Sequence, residues 1–333
     1  MKAEYKKVLI TGMAGFIGFS LAQELAERHP ELEIIGIDNL NDYYSVQLKM
    51  DRLAELEQYA NISFIKGDIS DFEFLKGLDQ SYRDIDMIFH LAAQAGVRSS
   101  VDQPFKYINY NIDGQVAILE FAKLLPDLQK IVYASSSSVY SSHTKLPFKE
   151  TLPLTNPMSL YAATKQAGEL MCSSYSRLFD MPMVGLRFFT AYGPYGRPDM
   201  AIYKIAQLIR NNSVVELVGE GKVSRDFTYI DDIIDGIIRS SHFTPKKDEQ
   251  GFQNEIFNLG CATAVDINSL TRLIAEALNS EAKVEYVQRH ATDMNDTLAD
   301  ISKAKDLLGY HPKTDLKTGV LEFVKWHQNY IKI

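Results

Sequence analysis

Two side chains four residues apart, Tyr161 and Lys165, carry the clearest chemistry in this sequence of 333 residues. At that spacing both lie on one face of a helix. A phenol with a pKa of about 10 is a poor base at neutral pH. A fixed cation beside it stabilises the phenolate and makes it a usable proton acceptor. Such a group suits a sugar hydroxyl whose carbon is losing a hydride. Earlier in the chain, Ser135, Ser136, Ser137 and Ser138 follow the apolar run Ile131-Val132-Tyr133. Hydroxyls clustered at a strand end can bind sugar hydroxyls or a carboxylate.

The N-terminal stretch provides for the oxidant. Val8-Leu9-Ile10 runs into Gly12, Gly15 and Gly18, and an amphipathic stretch opens at Phe16 and Ile17. That is strand, tight turn and helix. Glycines let a backbone approach a diphosphate where a Cβ would collide. The start of the helix points free N–H groups and a positive dipole end at the anion. Asp38 closes a second apolar run, at 33–37, and Asn39 follows it. An acid there accepts both hydroxyls of an adenosine ribose and repels a 2′-phosphate, which favours NAD over NADP.

Composition narrows the class. Hydrophobic residues make up 46% and charged residues 23%, ordinary for a globular protein. The net charge of −8 and the lack of a basic block argue against nucleic acid. Cys172 and Cys261 stand far apart, and the seven histidines show no metal-ligand spacing, so neither a disulfide framework nor a metal site is expected. No apolar run approaches the length of a membrane span, and no signal-like core precedes the first strand. A cytosolic protein is expected.

The elements that must position these groups alternate. Strands are expected near 7–10, 33–37, 62–66, 87–93, 130–135 and 183–189. Between them fall helices from Phe16, up to about Tyr59, near 72–78, over 105–124 and over 160–179. This rhythm predicts an α/β, doubly wound parallel sheet of Rossmann type, with ligands at the carboxyl ends of its strands. The domain reading is a cofactor domain at 1–187, with the chain returning to it at about 226–260, and a smaller, mainly substrate-binding domain at 188–333. The latter holds a Gly/Pro-rich loop at 193–198, a helix at 201–210, short strands near 214–218 and helices near 230–241, 267–278, 302 and 316.

Taken together, these residues resemble the extended short-chain dehydrogenase/reductases, and within them the nucleotide-sugar epimerases. Residues 11–18, Gly67-Asp68-Ile69, His90-Leu91-Ala92-Ala93, Asn111, the serine run, Tyr161/Lys165 and Arg225-Asp226-Phe227 follow the family's order over nearly the full length. Residues 40–44, 92–98, 187–190 and 193–201 resemble the uronate branch, the UDP-glucuronate 4-epimerases. The resemblance implies a UDP-sugar substrate, catalytically regenerated NAD and a homodimer. It implies that Tyr161 acts as base and acid, with Lys165 holding the nicotinamide ribose and lowering the phenol's pKa. Ser136 then binds the reacting hydroxyl. Asp68 and Ile69 flank the adenine, Leu91, Ala93 and Asn111 line the cofactor groove, and Arg225 contacts the diphosphate.

Members that dehydrate carry an Asp-Glu pair where this chain has Ser137 and Ser138, and decarboxylating members carry Glu at the latter. Two neutral hydroxyls leave epimerisation as the simplest outcome. Thr190, Arg197 and the serines form an expected carboxylate pocket, with Arg98 nearby. The alternatives are a 4-epimerase of a neutral or N-acetylated UDP-hexose and a non-catalytic nucleotide sensor. Three departures bear on the substrate: Ser141 in place of the usual Gly, Ser99 in place of a frequent Tyr, and the run 288–293 in place of Gln-Pro-Gly-Asp, where Arg289 offers a substitute contact.

Overall fold

The computed structural model describes residues 5–78, 82–140, 145–288 and 296–331. Ser141 and residues 289–293 lie outside the described residues. Among the described residues seven strands form one sheet, all paired in parallel: β1 (Lys7–Thr11), β2 (Glu33–Asp38), β3 (Ile62–Lys66), β4 (Met87–His90), β5 (Lys130–Ser136), β6 (Met183–Phe188) and β10 (Asn254–Leu259). Their order is β10-β6-β5-β4-β1-β2-β3. The chain winds outward from β1 to β3, then crosses back to β4. The crevice at this reversal lies between the carboxyl ends of β1 and β4, where ligands bind in such sheets.

Why these segments are strands is visible in their burial. β1, β4 and β6 are buried at every position, as both-faces-covered parallel strands must be. Alternate residues serve opposite layers. Leu9, Ile35, Ile88, Ile131 and Met183 pack toward the helix Gly114–Ala122 on one side. Val8, Ile10, Ile34, Phe89 and Val184 pack toward Phe16–Arg28 and Ile230–His242 on the other. This second core continues without a break into Leu217, Leu270 and Phe323 of the C-terminal third.

That third adds two small sheets. β7 (Thr190–Tyr192) pairs in parallel with β9 (Ser224–Tyr229), which pairs antiparallel with β11 (Ala264–Asp266). β8 (Val214–Val218) pairs in parallel with β12 (Lys283–Val287). The chain rejoins the main sheet through the helix Ile230–His242 and β10, whereas Ser224–Tyr229 stays in the small sheet.

Two expected elements differ. The strand expected over 87–93 ends at His90, because Leu91 to Gly96 leave the sheet to line a cleft. The helix expected over 105–124 is three pieces: Pro104–Ile108, a π turn at Asn109–Asp113, and Gly114–Ala122. Such wide turns often mark functional positions.

Candidate active site

β1 ends at Thr11, and the next residues turn tightly under the end of β2. Gly12 donates its N–H to the Ile37 carbonyl at 2.7 Å, and Gly15 donates to the Gly12 carbonyl at 2.9 Å. Gly12 has φ +76°, and a Cβ there would lie 2.8 Å from the Ala92 backbone. A Cβ on Gly18 would lie 2.2 Å from the Gly12 carbonyl oxygen. The helix begins with no side-chain cap, so its first N–H groups are left for an anion. Asp38 accepts from Leu40 N–H at 2.8 Å and Ala14 N–H at 3.2 Å. Burial raises its carboxyl pKa, and the bond from Leu40 and the charge of Lys49 oppose this. The acid is thus fixed at the rim of the turn as an acceptor.

The cleft running from this turn measures about 1040 Å³, at the upper end for small-molecule sites. Gly12, Gly15, Phe16, Ile17, Gly18, Asp38, Asn39, Ile69, Leu91 and Ala93 line the end of the cleft at this turn. The glycine cradle, the open helix start and the fixed acid fit a dinucleotide.

The opposite wall carries Tyr161 and Lys165. Ser159 caps the helix Leu160–Leu178 by accepting from Ala162 N–H at 3.1 Å. That puts Tyr161 in the first turn, at the positive end of the helix dipole. Ser136 ends β5; its Oγ accepts from Ser138 N–H at 3.1 Å, which leaves its own proton for the hydrogen bond it makes to Tyr161. Burial raises the Tyr161 pKa, whereas the Ser136 bond and the Arg197 charge pull it down. Lys165 is buried, donates from Nζ to the Ala134 carbonyl at 3.0 Å, and is brought down to about 8 by burial.

Ser136 and Arg197 oppose the burial of Tyr161, and Lys165 sits one turn on, tied to a carbonyl. Behind it, Glu169 receives two bonds from Arg187, at 2.8 and 2.7 Å, and one from Ser135 at 2.5 Å.

The far end of the cleft is lined by Arg98, Ser137, Ser138, Thr190, Arg197 and Arg225. Thr190 opens β7, opposite Phe227 of β9. Arg197 is engaged with Asp199 through two contacts, at 3.0 and 2.5 Å. Arg225 donates to the Ser224 carbonyl at 2.9 Å. Its strand is anchored by buried Asp226, which accepts from the N–H groups of Cys261, Ala262 and Ala299 at 2.8, 3.0 and 3.1 Å.

The chain is similar over nearly its full length to proteins of one family. The description "GDP-mannose 4,6 dehydratase" belongs to the family whose model matches residues 9–323. An uncharacterized protein of Methanocaldococcus jannaschii is 46% identical over 97% of this chain and 96% of its own length. UDP-glucuronate 4-epimerase 4 of Arabidopsis thaliana is 41% identical over 97% of this chain and 75% of its own length. The chain belongs to the nucleotide-sugar epimerases of the extended short-chain dehydrogenase/reductase family. The fold agrees. The UDP-glucuronic acid 4-epimerase of Bacillus cereus, solved with UDP-glucuronic acid and NAD, superposes with a TM-score of 0.89 at 32% identity, over 97% of this chain and 99% of that one.

Within this epimerase fold, two expected contacts do not line the cleft. Asp68 spends its carboxylate on Asn39 Nδ2 at 3.1 Å and on Ser70 N–H at 2.9 Å. Asn111, on the π turn, accepts from Gln94 N–H at 2.7 Å and donates to the Gln94 carbonyl at 3.1 Å and Thr164 Oγ1 at 3.0 Å. It holds the stretch 91–96 in place from behind. Sequence reasoning gave no role to Tyr43, Tyr44, Lys49, Asp199 and Lys204, which do line the cleft. Residues 40–44 and 193–201 stood out as motifs, but only the fold brings these two loops together. No helix among the described residues is long and apolar enough to cross a membrane.

Proposed function

We propose that this protein interconverts UDP-glucuronate and UDP-galacturonate at carbon 4 of the sugar, with NAD held throughout. When bound, NAD would supply the redox chemistry, as acceptor of the carbon 4 hydride and its donor back to the opposite face of the sugar. Gly12, Gly15, Gly18 and the helix start would hold its diphosphate, and Asp38 its adenosine ribose. Tyr161 receives the proton of the 4-hydroxyl and later gives it back. Ser136 is aimed by Ser138 N–H so that its proton bonds to the Tyr161 oxygen, which stabilises the phenolate form. Arg225, on a strand anchored by Asp226, would take the substrate diphosphate.

The observation that carries the reaction is the meeting of Tyr161, Lys165 and Ser136 in one cleft whose neighbouring groups, Ser137, Ser138 and Thr190, are neutral hydroxyls. None of these three can drive elimination or loss of carbon dioxide. The same hydroxyls, with Arg197 beside Tyr161, support a uronate carboxylate. A homodimer is part of this reading: Phe105 is 85% and Leu170 72% exposed, on adjoining helices.

The test is chromatography of purified protein with UDP-glucuronate and no added cofactor. UDP-galacturonate should form to a fixed equilibrium ratio, and Tyr161→Phe should abolish it. A pentose nucleotide as main product, or turnover only of UDP-glucose or UDP-N-acetylglucosamine, would refute the assignment.

A further inference from the structure

Two loops from opposite ends of the cleft are fastened together by side chains without a role in the reaction above. The first loop follows Asp38 and carries Tyr43 and Tyr44. The second carries Tyr195, Arg197 and Asp199. Tyr43 donates its hydroxyl to Asp199 Oδ2 at 3.2 Å and receives a bond from Ser99 Oγ at 3.1 Å. Asp199 is the acid that grips Arg197, and the Arg197 guanidinium lies 5.7 Å from the Tyr43 ring centroid. The fit is close, since a Cβ on Gly96 would lie 2.0 Å from the Tyr43 hydroxyl.

The second fastening is Arg52, fully buried. Its Nη1 donates to the Ala14 carbonyl at 2.8 Å and the Tyr44 hydroxyl at 2.7 Å, and its Nη2 donates to the Tyr195 carbonyl at 2.7 Å. One guanidinium thereby joins the glycine turn, the first loop and the second loop. Its contacts are neutral acceptors, and its Nε has no partner. A buried cation arranged this way is costly unless it fixes something. What it fixes is a residue in an unusual conformation, because Tyr195 has φ +58°. The Tyr195 ring is held between Phe19 and Trp326, each 5.0 Å away between centroids.

We infer that Arg52 and Tyr43 are positioning residues that couple the two halves of the cleft. Filling of the NAD cradle steadies the loop that presents Arg197 to the sugar nucleotide, and the sugar nucleotide in turn tightens the cradle. The inference rests on the NAD and UDP-sugar sites proposed above. Its physical content is a coupling factor: UDP must raise the affinity for NAD, and NAD must raise the affinity for UDP, by the same amount.

The test is calorimetric titration of NAD into full-length protein freed of bound nucleotide, with and without saturating UDP, and the reciprocal titration of UDP. The wild type should show a factor of about five or more in both directions. Tyr43→Phe, which deletes one hydroxyl, and Arg52→Lys, which keeps the charge but not the three-way bridge, should bring the factor below about two, with NAD affinity in the absence of UDP changed less. A purely structural role would lower the melting temperature and leave the factor alone. If Arg52→Lys does not fold, Tyr43→Phe decides. A unit factor in the wild type, or an unchanged factor in Tyr43→Phe, overturns the coupling while the site assignment stands. Failure of the wild type to bind NAD or UDP singly overturns both.

Discussion

Arg187 and Glu169 offer the sharpest quantitative test of how the site is held. They are 4% and 7% exposed, and burial of the guanidinium is compensated by the bidentate contact to Glu169 and a 2.9 Å bond to the Tyr140 hydroxyl. Arg187→Met leaves the Glu169 carboxylate with Ser135 as its donor among the bonds described. Glu169→Met leaves the guanidinium on Tyr140. Removing one member of a buried pair costs about 3–5 kcal/mol. Each single variant should lose that much in urea unfolding, a large share of the usual total of about 5–15 kcal/mol.

The double Met variant removes both charges and fills the space with apolar atoms, a change that is often neutral or stabilising. It should cost about 2 kcal/mol or less, mainly from the hydrogen bonds lost by Ser135 and Tyr140. The sum of the singles is then about 6–10 kcal/mol, so the interaction energy in the cycle is at least about 4 kcal/mol. If a single Met variant does not fold, Glu169→Gln serves as the milder arm. A double variant that loses as much as the two singles together would refute the reasoning. Glu169 lies one turn from Lys165 and bonds Ser135 beside Ser136, so the singles should also lower kcat more than they raise KM.

The remaining predictions are brief. Arg197→Ala should raise KM for UDP-glucuronate well beyond any change for UDP-glucose; equal changes would remove Arg197 from the carboxylate pocket. Gly18→Ala should lower NAD affinity by at least tenfold in calorimetry, because its Cβ would meet the Gly12 carbonyl at 2.2 Å. Burial holds buried His90 neutral down to about 3, aided by the Lys165 charge. Below an unfolded pKa of about 6.5 the unfolded chain therefore binds a proton that the folded one refuses, and stability falls with pH by about 2 kcal/mol between pH 6.5 and 5. His90→Gln should abolish most of that decline in urea midpoints measured at both pH values. An equally steep decline would assign it to other groups.

Much of this architecture was legible because it is written locally. Val8, Leu9 and Ile10 before the glycines, Asp38 after the next apolar run and Tyr161 one turn before Lys165 are each readable from spacing. What was hidden depends on distant partners. β7 and β11 have three residues each, and the pairing of Thr190 opposite Phe227 follows from the main sheet bringing the chain back, not from periodicity. The bond between the Asn111 amide and Gln94 depends on the π turn, which the spacing did not signal. Arg197 stood out as a carboxylate-pocket residue, but its engagement by Asp199, two residues away, is seen only in the fold. Arg52 sits in a helix that reads as ordinary and charged, and the spacing does not signal its burial.

The widened turn at Asn109–Asp113 has an evolutionary consequence. A helix there holds one residue more than regular winding accommodates. Deleting one residue between 109 and 113 would restore regular α-helical bonding, yet each residue is worth about 100° of rotation. The amide that secures Gln94 would swing away while the helix itself became more regular. Local backbone stability and the shape of the cleft floor thus pull in opposite directions at this point. Chain length in this short segment should tolerate change far less than residue type at its exposed positions.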